Sequence, residues 1–492
     1  MKTILLGLNL LFFLGLQAQP KPSISLSGNI AGMAGKSIIV SGPAHFKKQV
    51  QINKSGDFNI SFEAVTGYYN FNGNSIFLEP GDNLNISKPD SVYIYKGKGS
   101  AENNLLKSLD RLIFDYLPLS DNTPAKVYLL EPDSLYSKLN NYQAAADRLM
   151  ENPELSKYFR ETQHQRITYV NKFFEYNYLL NYGYDQEKRK EELALVNDKK
   201  LRENVAEWTS RIRLAHEATI IKRLSPDQRK ELNTRIWEGF DVNNEELYKF
   251  CTEYNRLLDA TISRFVQAES IKNPVFGTKN LFEKKRDIVN KEITNSYIKE
   301  SLLYEYTVGL LKQGNDIDRY YNEYLALAKD PVYIKGITAI RDNMKLLAPG
   351  LASPSFKLPD TQGRLVGLED FKGKYVYIDL WATWCGPCMA EVPFLKDVTK
   401  KYAGLNIAFI SISIDKLSDA AKWKTTVKTH ELSGTQLLAE NEWKSDFVKK
   451  YNVNSIPRFI LLDPDGKIIS ADADRPSAAS LQVLLDKLLV KK

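Results

Sequence analysis

Past the first twenty residues, the hydrophobic positions fall into three successive regimes. From Pro20 to about Gly99 they alternate, as in Val50 and Ile52 and then Phe58, Ile60 and Phe62. A repeat of two belongs to a strand with one buried face. Asn53-Lys54-Ser55-Gly56-Asp57 separates these runs, and Pro80-Gly81-Asp82 is a second turn signal. Several short strands at roughly ten-residue spacing predict a small β-sandwich over 20–99. His45 is a lone histidine in a Gly-Pro-Ala-His turn and reads as solvated surface.

Over 100–347 the repeat lengthens. Leu155, Phe159, Ile167, Val170, Phe174 and Tyr178 recur at helical spacing, as do Ile293, Tyr297, Leu302, Tyr306 and Leu310, with Gly314 as a stop. Ser225-Pro226-Asp227 and Asp330-Pro331 read as helix starts, with proline tolerated in the first turn. An all-α region of roughly eight or more helices is expected. Its many Tyr and Phe residues suit either an aromatic peptide groove or a helical core, and their spacing favours the core. His164 and His216 lie in helical patterns without a metal-ligand partner four residues on. Cys251 lies on the apolar face of Leu247-Tyr248-Lys249-Phe250-Cys251 and reads as an inert buried thiol.

After the punctuated stretch Leu346-Leu347-Ala348-Pro349-Gly350, strands and helices alternate over 348–492. Tyr375–Leu380, Ile407–Ile414 and Phe459–Leu462 are strand runs. Cys388–Lys401, Trp443–Tyr451 and Ser480–Val490 are helical. Asp463-Pro464-Asp465-Gly466 turns into a closing strand at Lys467-Ile468-Ile469. This is an α/β domain with a mixed sheet.

The first residues bear on compartment. Lys2 precedes an apolar run from Ile4 to Leu16, and Leu16-Gln17-Ala18 presents a small residue for cleavage. That is the pattern of a secretory signal peptide over 1–18. The run falls short of the ~20 residues that span a bilayer. An exported protein, periplasmic in a bacterium, is the expectation.

Composition narrows the classes. With 492 residues, 43% hydrophobic and 26% charged, the chain is an ordinary globular protein of several domains. The net charge of +7 is spread almost evenly: 38 basic and 38 acidic groups lie in 101–349, and 20 and 17 in 350–492. No basic patch suggests a nucleic-acid partner. The 3 cysteines, Cys251, Cys385 and Cys388, are too few for a disulfide scaffold or a four-thiolate zinc site. No metal and no cofactor are expected.

Cys385-Gly386-Pro387-Cys388 lies at a strand-to-helix junction. Helix N-termini carry unsatisfied N–H groups and partial positive charge, which stabilise a thiolate. Two intervening residues let the second sulfur reach the first, so the pair can cycle between dithiol and disulfide. No Pro-x-x-x-Thr-x-x-Cys arrangement surrounds either thiol, which argues against a peroxidase.

The segment Asp379-Leu380-Trp381-Ala382-Thr383-Trp384-Cys385-Gly386-Pro387-Cys388 resembles the active-site segment of thioredoxins. Pro393 matches that family's helix-kinking proline, and Ile456-Pro457 its cis-proline loop. Ala348–Leu358, Gly363 and Phe371-Lys372-Gly373-Lys374 resemble the N-terminal hairpin of the TlpA/ResA-like branch. Glu391, three after Cys388, fits that branch, as does the long stretch from Cys388 to Pro457. The likeness covers 348–492. A β domain and a helical region ahead of it occur in some exported TlpA-like proteins of Gram-negative bacteria.

The resemblance implies a thioredoxin-like thiol-disulfide oxidoreductase. Cys385, the more exposed thiol, would attack a substrate disulfide, and Cys388 would resolve the mixed disulfide, leaving a Cys385–Cys388 disulfide. Asp379, buried, would take the proton of Cys388. Trp384, Ile456, Pro457 and Glu391 would face substrate, although Glu391 also reads as a solvated helix carboxylate. Trp381, Trp423 and Trp443 read as packing. The implied partners are disulfide-containing exported proteins, apocytochrome c among them, and a membrane electron donor of the DsbD/CcdA type. A disulfide oxidase or isomerase is the alternative, as is a binding protein with an auxiliary redox domain.

Overall fold

The computed structural model describes residues 23–489 apart from 64, 118–125, 198–204, 315 and 454. The signal peptide expected over 1–18 lies outside the described residues. The chain divides into two compact units, Met1–Thr261 and Ile262–Lys492.

In the first unit, β1 (Ile24–Asn29), β2 (Ser37–Ser41), β3 (Lys47–Gln51), β4 (Asp57–Phe62), β5 (Gly67–Phe71), β6 (Asn74–Leu78), β7 (Asn83–Ser87) and β8 (Ile94–Lys98) build a sandwich. One sheet has the order β4-β1-β7-β8 and the other β3-β2-β5-β6. Val50, Ile52, Phe58 and Phe62 all enter its core, with Leu26, Val40, Phe71 and Ile86. The turn after Ile52 carries the chain from one sheet to the other, so β3 and β4 are not paired. Alternation specifies the buried face of a strand but not its neighbour.

The edge strand β6 is closed by a side chain. Asn103 accepts from the Phe77 N–H at 2.9 Å and donates to the Phe77 carbonyl at 2.8 Å. It also donates to the Gly99 carbonyl at 2.7 Å, so one amide caps the edge and ties it to the first helix, Ser100–Tyr116.

Counting Ser100–Tyr116, thirteen α-helices lie between the sandwich and the final domain among the described residues. Lys157–Asn181 buries Phe159, Ile167, Val170, Phe174 and Tyr178, as their spacing predicts. Ser225 closes a capping box with Gln228, and Asp330 accepts from the Val332 N–H. The run from Ile293 to Leu310 is divided. Leu281–Glu292 ends at Ile293, and Asn295 caps a new helix, Ser296–Lys312, by accepting from the Ile298 N–H at 3.0 Å. Both helices bury apolar groups, so their pattern reads as one. Cys251 separates the helices Glu245–Phe250 and Thr252–Lys272 and is fully buried. Burial, reinforced by Glu253, pushes its thiol up to about 12, which keeps it protonated and unreactive.

The second unit ends in the α/β domain. β9 (Lys357–Pro359) and β10 (Leu365–Gly367) form an antiparallel hairpin. β11 (Tyr375–Trp381), β12 (Ile407–Ser413), β13 (Thr435–Leu438), β14 (Arg458–Leu462) and β15 (Ile468–Ser470) form a sheet of order β13-β12-β11-β14-β15. β11, β12 and β13 run parallel, whereas β14 and β15 are antiparallel to their neighbours. Helices Gly386–Lys401, Ala420–Thr429 and Ala479–Leu489 accompany the sheet. Alternate residues of β11 feed two cores. Val376, Ile378 and Leu380 join one with Ile410, Ile412 and Trp423, and Tyr377 joins the other with Phe409, Phe459 and Leu485. Burial on both faces explains why this strand reads as an unbroken apolar run.

One local reading is revised and two elements are added. Trp443–Tyr451 is not one helix: a 3-10 turn at Glu442–Lys444 is followed by the short helix Asp446–Lys450. Ser445 breaks it, buried with its hydroxyl donating to Glu440 at 3.2 Å. The short strand β13 and the helix Ala420–Thr429 carried too little periodicity to be foreseen. Among the described residues, no helix is long and apolar enough to cross a membrane.

Asn103→Leu leaves two backbone groups of β6 without partners. A loss of about 2–4 kcal/mol in the unfolding of the first unit is expected by urea titration. Thiol chemistry in the second unit should not change.

Candidate active site

The two thiols lie at the carboxyl edge of the sheet, where open α/β sheets place their ligands. β11 ends at Trp381, and a turn closes with the Cys385 N–H donating to the Ala382 carbonyl at 3.1 Å. The helix starts at Gly386, with Pro387 in its first turn. Cys385 is its N-cap: Sγ accepts from the Cys388 N–H at 3.2 Å. The two cysteines are joined by a disulfide, with their Cα atoms 5.2 Å apart. Their exposures are 5% and 4%. Both are buried, so the greater exposure that the resemblance implies for Cys385 is not seen in the disulfide. Pro393 lies inside the same helix.

Asp379 is in the middle of β11, paired with Ser411 of β12 and Phe459 of β14. It is buried. Burial raises its carboxyl to about 7, against the pull of a hydrogen bond from Ser411 and with a further push from Glu391. Glu391 is buried as well, which excludes its reading as a solvated carboxylate. It accepts from the Ser477 N–H at 3.0 Å and the Ser477 hydroxyl at 2.8 Å. It therefore ties the thiol-bearing helix to the segment that precedes the last helix.

The Ile456–Pro457 peptide is cis. Arg458 holds the adjoining chain, with Nε donating to the Ala471 carbonyl at 3.0 Å and an ion pair to Asp472 at 3.1 Å. Ile456 packs against the same apolar cluster that contains Cys385 and Cys388. Trp384 is 55% exposed, and its ring lies 6.3 Å from that of Trp443. Trp381 and Trp423 are core residues, whereas Trp443 is only partly buried and faces Trp384.

The sequence reading did not single out Asp415. It is 1% exposed and accepts from the Thr383 N–H at 2.9 Å, the Thr383 hydroxyl at 2.8 Å and the Ser413 hydroxyl at 2.7 Å. One signal was available: an acidic residue directly after the apolar run of a parallel strand falls on the carboxyl edge of the sheet. Among the described residues, no group of three or more His, Cys, Asp or Glu side chains is placed to hold a metal.

A thioredoxin-like sheet with a cysteine pair capping its first helix defines a thiol-disulfide oxidoreductase fold. The Redoxin family matches residues 348–480. The thiol-disulfide oxidoreductase ResA of Bacillus thuringiensis subsp. konkukian is 30% identical over 139 residues, 28% of this chain and 78% of that protein. ResA of Bacillus subtilis is 27% identical over 123 residues, 25% of this chain and 66% of that protein. A solved thiol-disulfide oxidoreductase from Bacteroides fragilis is 32% identical, with a TM-score of 0.26, and the match covers 28% of this chain and 99% of that one. The chain belongs to the ResA-like thiol-disulfide oxidoreductases.

The raised carboxyl of Asp379 has a consequence for stability. An acid whose pKa rises on folding binds its proton more tightly in the native state. The native protein therefore loses stability as pH climbs from about 4, the unfolded value, to about 7, the folded one. Asp379→Asn carries no charge at any pH. It should match the wild type near pH 4 and exceed it at pH 8 by on the order of 2–4 kcal/mol. Urea unfolding of the oxidised second unit at both pH values measures this, and an advantage independent of pH would show that burial of the charge is not the cause.

Proposed function

We propose that the protein is exported and reduces disulfides of other periplasmic proteins through Cys385 and Cys388. The observation that carries this reading is the helix cap. Cys385 Sγ accepts the Cys388 N–H, so a thiolate at this position meets a real donor and the positive end of the helix. In the reduced protein, the Cys385 thiolate attacks one sulfur of a substrate disulfide. A mixed disulfide forms, and the first substrate sulfur leaves as a thiolate. Cys388 loses its proton to Asp379, whose carboxyl near 7 is suited to exchange it at neutral pH. The Cys388 thiolate then attacks Cys385 Sγ, the second substrate thiolate departs, and two electrons have passed to the substrate.

Ile456 and Pro457 supply the adjoining surface. Proline has no N–H, so the Ile456 backbone is left to pair with an extended segment of substrate, and Trp384, next to Cys385 in the chain, offers an exposed ring. Glu391 acts from below, by holding the helix against Ser477. The direction rests on likeness: the Gly-Pro dipeptide is that of thioredoxin, near ~−270 mV, and not of the oxidant DsbA, near ~−120 mV. Each turnover leaves the pair oxidised, so a membrane donor of the DsbD/CcdA type must return the electrons. Apocytochrome c and misoxidised exported proteins are the candidate substrates. The apolar run at 4–16 supports export.

Cys388→Ser should trap mixed disulfides on Cys385, identified by mass spectrometry. A yield no higher than that of the Cys385→Ser/Cys388→Ser control would overturn substrate reduction. Equilibration of the full-length protein with glutathione should give a potential below about −200 mV. A value above about −180 mV, in the range of protein disulfide isomerase, would assign it to oxidation or isomerisation instead.

A further inference from the structure

The turn that delivers Cys385 to the helix has no regular backbone ladder of its own. Between Trp381, the last residue of β11, and Gly386, the first of the helix, the chain turns through Ala382, Thr383 and Trp384. Apart from the bond of the Cys385 N–H to the Ala382 carbonyl, what holds this turn comes from the neighbouring strand. Asp415 follows β12 and takes both hydrogens of Thr383, from its N–H and its hydroxyl. Ser413 fixes the carboxylate in turn: its hydroxyl donates to Asp415 at 2.7 Å and accepts from the Asp415 N–H at 3.0 Å. The Ser413 carbonyl receives the Ala439 N–H at 2.8 Å, which anchors the loop that leads to Trp443. All three groups are thus referred to one point on the carboxyl edge of the sheet. Asp415 and Ser413 are 1% and 0% exposed, so water does not compete for these bonds.

We propose that Asp415 is a positioning residue for the nucleophile, acting through Thr383 to hold Cys385 at the helix N-terminus. The proposal rests on the reading of Cys385 as the attacking thiol. A thiolate gains from the helix only while its sulfur stays on the Cys388 N–H. A loose turn lets Cys385 leave that position, and the thiolate loses its donor. The negative charge of Asp415 acts the other way, since a carboxylate near a thiolate disfavours it. The two effects have opposite signs, so experiment can separate them. The other carboxyl groups on the elements packed here, Asp379 on β11, Glu391 and Asp397 on the helix, and Glu440 and Glu442 after Ala439, are the same in every variant.

The test uses full-length reduced protein and reads the Cys385 pKa from the pH dependence of its alkylation by iodoacetamide. Asp415→Asn and Thr383→Val should each raise it by about half a unit, on the order of a threefold loss of thiolate at neutral pH. The equilibrium with glutathione should shift about threefold toward the disulfide form, because the reduced state has lost stability. Thr383→Ser keeps both hydrogens and should behave as the wild type, and the double variant Thr383→Val/Asp415→Asn should be no worse than either single one. A lower pKa in Asp415→Asn with none of the change in Thr383→Val would make Asp415 a charge effect and overturn positioning. Unchanged pKa values in both, with a reduced Tm, would make the contact structural only. If Cys385→Ser instead trapped partners on Cys388, and Cys388→Ser trapped none on Cys385, the reading of Cys385 would fail, whatever these variants do.

Discussion

Everything at the site depends on where one helix begins. An α-helix leaves its first N–H groups without partners, and here the sulfur of Cys385 satisfies one of them. That bond places a thiol where the backbone itself stabilises negative charge. It requires a helix that starts one residue after the thiol and a strand that ends a few residues before it. The sheet meets the second requirement through β11, whose residues are buried on both faces and therefore cannot shift in register without exposing a core.

Around this cap, the domain accepts three buried acids, Asp379, Glu391 and Asp415. Burying a carboxylate costs several kcal/mol unless it is bonded or neutralised, and each is managed differently. Asp379 accepts from Ser411, and burial pushes its carboxyl up to about 7. Glu391 is bonded twice by Ser477. Asp415 is bonded by Thr383 and Ser413. Asp415 holds the turn and Glu391 holds the helix, whereas Asp379 has the single side-chain bond from Ser411 to set against its burial.

Much of this was legible in the residue order, because the signals are local. A cysteine pair two residues apart at a strand-to-helix junction, an acid six residues earlier and an Ile-Pro far downstream are patterns that a chain displays without folding. The sandwich was equally legible as a set of alternating strands, yet its pairing was not: β3 and β4 are consecutive but lie in different sheets. The division of the Ile293–Leu310 run also escaped, since Asn295 is a modest signal beside a strong apolar repeat.

What the sequence determined alone was the chemistry and the class of each region: which residues could carry electrons, that strands precede helices, and that a mixed α/β domain closes the chain. These follow from side-chain type and from periods of two and 3.6, which are properties of neighbours along the chain. The tertiary structure decided the environments. Glu391 became a buried tie and not a solvated helix carboxylate, Trp443 came to face Trp384, and Asp415 reached Thr383 across 32 residues. Burial and partnership are set by elements that meet in space. The free energy of a charge depends on its surroundings far more than on its position in the chain.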